Sequence, residues 1–130
     1  MNIIFIDDDF EELDFMRLGV EAVRPEAHCN FFTDCDEALS ALARMTSRPD
    51  YIFMEVNMNK IDGDECLVQL GRNQKIRSCK VVMMSSSMDM YEQSHQRAFL
   101  NRGAFAIVEK PGTVDEYAEM FANIVGSENE

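Results

Sequence analysis

The sequence predicts an α/β domain in which five short strands alternate with five helices around one parallel sheet. Three observations carry that reading. Apolar runs of strand length recur along the chain, at Ile3–Ile6, His28–Phe32, Tyr51–Met54, Lys80–Met84 and Phe105–Val108. Between them lie stretches with apolar residues at helical spacing, several opened by an acid or hydroxyl with a glutamate three residues later, which marks a helix start. Strands without polar alternation need cover on both faces, and in a chain that alternates strand and helix this means a parallel sheet between two helical layers.

Each element follows in order. Ile3–Ile6 is apolar on both faces, and Asp9 opens the first helix with Glu12 as its capping-box partner. Phe10, Leu13, Met16, Leu18 and Val20 give that helix a wide apolar face, and Pro25 follows its end. His28–Phe32 is a second, weaker strand. Asp34 and Glu37 cap a second helix with Ala38, Leu39, Leu42 and Met45 at its apolar positions. Pro49-Asp50 precedes the third strand, Tyr51–Met54, which hands Glu55 to a loop through Asn57–Asp62. Gly63 or Asp64 opens a third helix with Cys66, Leu67 and Leu70 facing inward. After the fourth strand, Asp89 and Glu92 cap a helix to about Arg102, and Gly103 is its left-handed stop. The fifth strand leads into Lys110-Pro111-Gly112, and Thr113 with Glu116 caps a last helix to about Val125.

Composition narrows the function. At 130 residues the chain reads as one domain over 1–125 with a short polar tail at 126–130. The net charge of −12 argues against nucleic acid as a direct partner, because phosphates are repelled. No apolar run approaches the roughly 20 residues of a membrane span and no signal peptide opens the chain, so the expected location is cytoplasmic, away from membranes. Cys29, Cys35, Cys66 and Cys79 show no CxxC spacing, and only His28 and His95 accompany them. Zinc is therefore not expected, and the thiols are expected to be reduced. The ten methionines are expected to fill gaps in the core.

Chemistry gathers where strands of an open parallel sheet end. Four strand ends carry polar groups here: Asp7-Asp8-Asp9, Glu55, Ser85-Ser86-Ser87 and Glu109-Lys110. Right-handed crossovers favour the flavodoxin-like order 2-1-3-4-5, which makes the first and third strands neighbours and brings Asp7, Asp8 and Glu55 to one switch point. Two readings of Glu55 stay open on the residues alone. One is a structural ion pair with Lys110. The other is a share in a cation site, since a carboxylate beside two others at a buried strand end is costly without a cation. Three acids in a row at Asp7–Asp9 exceed what capping needs, which favours a cation role for Asp7 and Asp8. The serines taken alone read as a turn.

Taken together and in order, IDDD after the first strand, IDG after the third, the hydroxyl after the fourth and KP after the fifth make the chain resemble the receiver domain of bacterial response regulators, over about residues 2–125. The resemblance implies two-component (phosphorelay) signalling, and a sensor histidine kinase, a phosphotransfer protein or an output protein as partner. It implies a divalent metal, usually magnesium, at Asp7, Asp8, the acceptor position Glu55 and the backbone carbonyl of Asn57. It assigns phosphoryl binding and switching to Ser85, with Ser86 beside it, and to Lys110. Three positions depart from the family. Glu55 stands where the family has aspartate, Asn59 where it has proline, and Ile107 at the aromatic position that couples hydroxyl movement to the surface.

The expectation is a stand-alone receiver-like module, not an enzyme beyond stoichiometric phosphotransfer, that acts through protein contacts on its fourth and fifth helices and fifth strand. Glutamate carries its carboxylate roughly 1.5 Å farther out than aspartate, toward the place of a phosphoryl group. It therefore supplies part of that group's charge, and weak magnesium binding is expected with it. The Glu55–Lys110 attraction is expected to be that of a pair open to water, about 1 kcal/mol. The alternatives are a working phosphoacceptor at Glu55, a magnesium-dependent phosphohydrolase using Asp7 or Asp8, and a flavin-binding domain, which the acidic first loop disfavours.

Overall fold

The computed structural model describes residues 1–58, 60–86 and 93–126. Five parallel strands form one sheet: β1 Asn2–Ile6, β2 His28–Phe32, β3 Tyr51–Glu55, β4 Lys80–Ser85 and β5 Ala106–Glu109. Their order is β2-β1-β3-β4-β5, the flavodoxin-like arrangement. The helices are α1 Phe10–Val23, α2 Cys35–Arg44, α3 Gly63–Gly71, α4 Gln93–Asn101 and α5 Val114–Val125.

Strand alternation divides the core in two. Ile3, Phe5, Phe53, Val82 and Met84 face one way and pack with Leu13, Met16 and Val20 of α1 and Tyr117 and Phe121 of α5. Ile4, Ile6, Ile52, Met54, Val81 and Met83 face the other way, onto Ala38, Leu42, Cys66, Leu67, Leu70 and Phe99 of α2, α3 and α4. The first layer is aromatic, with Phe5, Phe53 and Phe121 in mutual stacked and edge contacts.

Several sequence expectations are corrected. In α1, Phe10 is 75% exposed and Leu18 44%. Leu18 lies two residues from both Met16 and Val20, about 200° around a helix, so it cannot share their face. Phe10 is the first residue of its helix and projects past the end of the core. Asp9 does cap α1, accepting from the Glu11 N–H at 2.9 Å, but Glu12 does not return to it. The Glu12 carboxylate instead accepts from the Tyr117 hydroxyl. The fifth strand starts at Ala106, one residue later than expected; the Phe105 N–H still donates to the Val81 carbonyl at 2.7 Å, and its ring is 52% exposed on the edge of the sheet with the Lys80 ammonium 5.0 Å from its centre. The expected caps Asp34 and Thr113 are in place, Asp62 at the end of the expected loop caps α3, and Gly103 ends the α4 turn at φ +104°. The expected Asp89–Glu92 cap pair, Ser87, Asn59, the His95 side chain and 127–130 lie outside the described residues.

The cysteines are a further correction. Cys35 and Cys66 form a disulfide, with Cα atoms 5.9 Å apart. They are 31 positions apart, so no local motif announces the bond. The topology makes it by placing the first turns of α2 and α3 side by side. Cys29 and Cys79 remain thiols, pushed by burial to pKa values of about 11 and about 12. Alkylation of the denatured, unreduced protein is expected to label Cys29 and Cys79 alone, with Cys35 and Cys66 labelled only after reduction. By the loop-closure relation, closing such a loop stabilises by roughly 3–4 kcal/mol, so Cys35→Ala should lower the melting temperature by a corresponding amount. Four labelled thiols before reduction would refute the bond.

Candidate functional site at the carboxyl edge of the sheet

The site is assembled by strand ends. Beyond β1, the Asp7 N–H donates to the Phe32 carbonyl at 3.0 Å and continues the ladder by one residue, and the Asp7 side chain is fully buried. Glu55, the last residue of β3, is 4% exposed. Its chain is held on both sides: the Val56 N–H donates to the Met84 carbonyl at 2.8 Å, and the Gly63 N–H to the Val56 carbonyl at 2.7 Å. Gly63 is needed there because a Cβ would come within 2.6 Å of the Glu55 carbonyl oxygen and 2.8 Å of the Val56 Cα. Beyond β5, the Lys110 N–H donates to the Ser85 carbonyl at 2.8 Å, which directs the lysine back over the sheet edge.

Alternation decides which side chains meet. Asp7 shares the parity of Ile3 and Phe5, Glu55 that of Phe53, and Lys110 that of Val108, all in the α1/α5 layer. The three converge. The Lys110 ammonium lies 2.6 Å from Asp7 Oδ2 and 3.0 Å from Glu55 Oε2. Asp7 Oδ1 accepts from the Asp9 N–H at 2.9 Å and Glu55 Oε1 from the Asn57 N–H at 3.3 Å. Each carboxylate thus gives one oxygen to a backbone N–H two residues on and the other to Lys110. Neither Lys110-facing oxygen receives a hydrogen bond of good angle, so charge attraction holds them.

The pair is not open to water as expected. The side chains of Lys110 and Glu55 are only 10% and 5% exposed. Burial raises the pKa of both Asp7 and Glu55, and Lys110 draws each part of the way back. Burial also works against the charged lysine, but its contacts with Asp7 and Glu55 outweigh that and hold its pKa above the ordinary value.

The remaining candidates are distributed around this triangle. Ser85 is fully buried at the end of β4 and shares the parity of Val81 and Met83, which belong to the other core layer. Ser86 is exposed, and Asp8 is half-buried beside Asp7. Asn57 is exposed, with its backbone N–H on Glu55. Ile107 is partly buried against the layer that includes Phe99, and pairs with Met83 across the strands.

Tyr117 was not singled out by the sequence. It is fully buried on α5, and its hydroxyl is raised well above the ordinary tyrosine range by burial and by Glu12. Its spacing with Phe121 and Val125 reads only as core. The signal was the polar hydroxyl inside that stripe.

The carboxylates have the hard oxygen donors that magnesium takes. Among the described residues, however, no three acidic, histidine or cysteine side chains are arranged to hold a metal ion. Lys110 is the cation on which Asp7 and Glu55 converge, so a divalent ion at these carboxylates has to compete with its ammonium for their oxygens.

Removing the ammonium should expose the cost of burying two carboxylates. Lys110→Met is expected to destabilise the fold at neutral pH by roughly 3–5 kcal/mol. The sign with pH follows from the raised pKa of Asp7 and Glu55. A group raised in the folded state contributes stability below its unfolded pKa and loses it as pH rises through the folded pKa. The variant's deficit should therefore shrink as pH falls toward 3.8 and 4.5, the ordinary values of these groups. Denaturant unfolding at several pH values checks this, and a deficit that grows in acid would contradict it.

The chain matches the model of the response regulator receiver domain over residues 3–122. No curated protein sequence matches it. Among solved structures it is similar to the Mn(2+)-bound form of response regulator Rcp1, with TM-score 0.78 and 16% identity over 95% of this chain and 93% of that one. It is also similar to the chemotaxis response regulator CheY4 of Vibrio cholerae, with TM-score 0.78 and 16% identity over 94% and 96% of the two chains. A two-component response regulator from Clostridium difficile gives TM-score 0.75 and 19% identity over 100% and 99%. These likenesses at low identity reflect the fold, while the family match spans nearly the whole of the sheet and its helices, and on it the chain belongs to the response regulator receiver domain family.

Proposed function

We propose that this receiver domain signals through protein contacts, with Glu55 in the place of a phosphoacceptor aspartate and with its fixed charge standing in for part of a phosphoryl group. The observation that carries this reading is the Lys110 ammonium held at 3.0 Å by Glu55 and 2.6 Å by Asp7. A lysine bound to charge at the acceptor position is what added phosphoryl charge would achieve, and glutamate supplies about half of it. The contact surface is the face of α4, β5 and α5. A groove of about 410 Å³ between β5 and α5, running from Lys110 to Ile124, supports this, because it places the site next to that face. A histidine kinase, phosphotransfer protein or output protein is the partner class that two-component signalling supplies.

The domain acts without turnover. A phosphohydrolase needs a carboxylate that substrate can reach, and of its two candidates Asp7 is fully buried between Lys110 and the Asp9 N–H, which leaves only the half-buried Asp8. Magnesium, as family membership suggests, would be held by Asp7, Asp8 and Glu55 with the Asn57 carbonyl, and would neutralise their charge. Binding is weak because the ion competes with Lys110, and because magnesium tolerates little distortion of its octahedral shell.

Incubation with acetyl phosphate and magnesium is expected to leave the mass of the natural protein unchanged, while Glu55→Asp gains one phosphoryl group. Ångström-scale misplacement of a reacting group costs about a hundredfold in rate. A stoichiometric phosphoryl group on Glu55 would establish the acceptor reading instead. The same two proteins test the metal: magnesium should raise the melting temperature of Glu55→Asp more than that of the natural protein. For the state itself, Glu55→Gln should shift the amide resonances of β4, β5 and α5 in the direction opposite to phosphorylated Glu55→Asp. Shifts confined to the immediate neighbours of position 55 would show that its charge does not set the state.

A further inference from the structure

Acid and base are segregated along this chain. Acids outnumber bases 24 to 12, yet residues 66–88 contain no acid and carry Arg72, Lys75, Arg77 and Lys80. A second acid-free stretch, 38–49, carries Arg44 and Arg48. The fold joins the two stretches at the edge where β3 and β4 begin, opposite the edge that carries Glu55 and Lys110. Lys75 fastens them, donating to the carbonyls of Leu42 and Met45 at 2.7 Å each.

Two open depressions lie on this edge. One, of about 470 Å³, is lined by Arg72, Arg77 and Arg102, and the other, of about 730 Å³, by Arg48 and Arg72. They share Arg72, Asn73 and Gln74, and no acidic residue lines either. Arg102 is paired with Asp64, but among the described residues Arg48, Arg72 and Arg77 form no ion pair. In a chain with twice as many acids as bases, three exposed guanidiniums without a carboxylate partner thus gather on one edge, where the nearby acid Asp50 is engaged by the Asn2 N–H.

We propose that this edge binds an acidic peptide segment of a partner protein, whose carboxylates are taken by Arg48, Arg72 and Arg77. Guanidinium forks match carboxylates in bidentate pairs. No aromatic side chain lines either depression, so a nucleotide base has nothing to stack on. The net charge of −12 repels a long polyanion such as duplex DNA. A short segment feels chiefly the local field, since screening sets in over about 10 Å at ordinary salt. Joined depressions suit an extended chain better than a compact anion. The surface lies away from Glu55 and does not rest on the function proposed for it.

Fluorescence anisotropy with a labelled hexaglutamate peptide tests this. The natural protein should bind the peptide, and added salt should weaken binding. The double variant Arg72→Glu/Arg77→Glu should bind at least roughly tenfold more weakly. Arg72→Gln/Arg77→Gln should lie between the two, with thermal unfolding confirming the fold of each. Arg17→Glu on α1, where Arg17 already pairs with Asp14 and Glu21, should bind as the natural protein does, and so should Glu55→Gln. Absence of binding, or equal loss in Arg17→Glu, would overturn the assignment. Displacement of the peptide by inorganic phosphate at similar concentration would replace it with a small-anion pocket. Tighter binding of a short DNA duplex, or salt-sensitive self-association abolished in the double variant, would name a different occupant and equally overturn it.

Discussion

The structure of the carboxyl edge depends on one ammonium group shared by two buried carboxylates. An isolated carboxylate in the interior costs several kcal/mol, and two close together cost more through repulsion. Lys110 offsets this for Asp7 and Glu55 at once. The backbone supplies the rest: the Asp9 and Asn57 N–H groups each take one remaining oxygen. Those bonds shape the chain in turn. The Asp7–Asp9 bond sets the turn that lets Asp9 cap α1, and the Glu55–Asn57 bond folds the loop toward Gly63, where the backbone approach leaves no room for a Cβ. The site and the starts of two helices are therefore one construction.

Much of this was legible in the sequence because it rests on periodicity and local capping. The apolar runs gave five strands within a residue or two of their observed ends, and alternation with helices fixed the parallel order. The Glu55–Lys110 pair was one of two readings the residues left open, because strand order brings strand ends to one edge, but the contact of Lys110 with Asp7 was not read, because it depends on side-chain parity as well. What was not legible depends on distance rather than pattern. Nothing in the spacing of Cys35 and Cys66 shows that two helix starts lie side by side. Glu12 had a local role available at the cap, but its carboxylate lies within reach of Tyr117, which is 105 positions away. The burial of the Lys110 pair was underestimated for the same reason, because a sequence shows which groups meet at an edge but not how deeply they sit.

The glutamate at position 55, where the proposed function places an acceptor aspartate in the family, has a visible geometry. The longer side chain does not stand away from the site. It reaches Lys110 with one oxygen and turns back to the Asn57 N–H with the other, at 3.3 Å against 2.9 Å for the shorter Asp7. A carboxylate spanning both contacts has no oxygen free of them. In the proposed function the same geometry makes Glu55 a poor acceptor and a permanent partner to Lys110, so its two halves have a common cause.

In the proposed function, the way that charge is felt at the surface is constrained by Ile107. With no aromatic ring at this position, a ring moving between buried and exposed orientations cannot report on the site. The connection that remains is through the backbone: Glu55 holds Lys110, the Lys110 N–H is bonded to the Ser85 carbonyl, and Ser85 pairs with Glu109 in the last rung between β4 and β5. A pull on Lys110 is thus delivered to the junction of β5 and α5, beside the groove that starts at Lys110. A domain with two conformations a few kcal/mol apart responds to a fixed charge by a change of population, and its size is limited to the difference in attraction between the two states. Because the pair is buried, that difference is screened less than it would be at the surface, which is why the proposed function needs only a single negative charge and not the second that phosphorylation would bring.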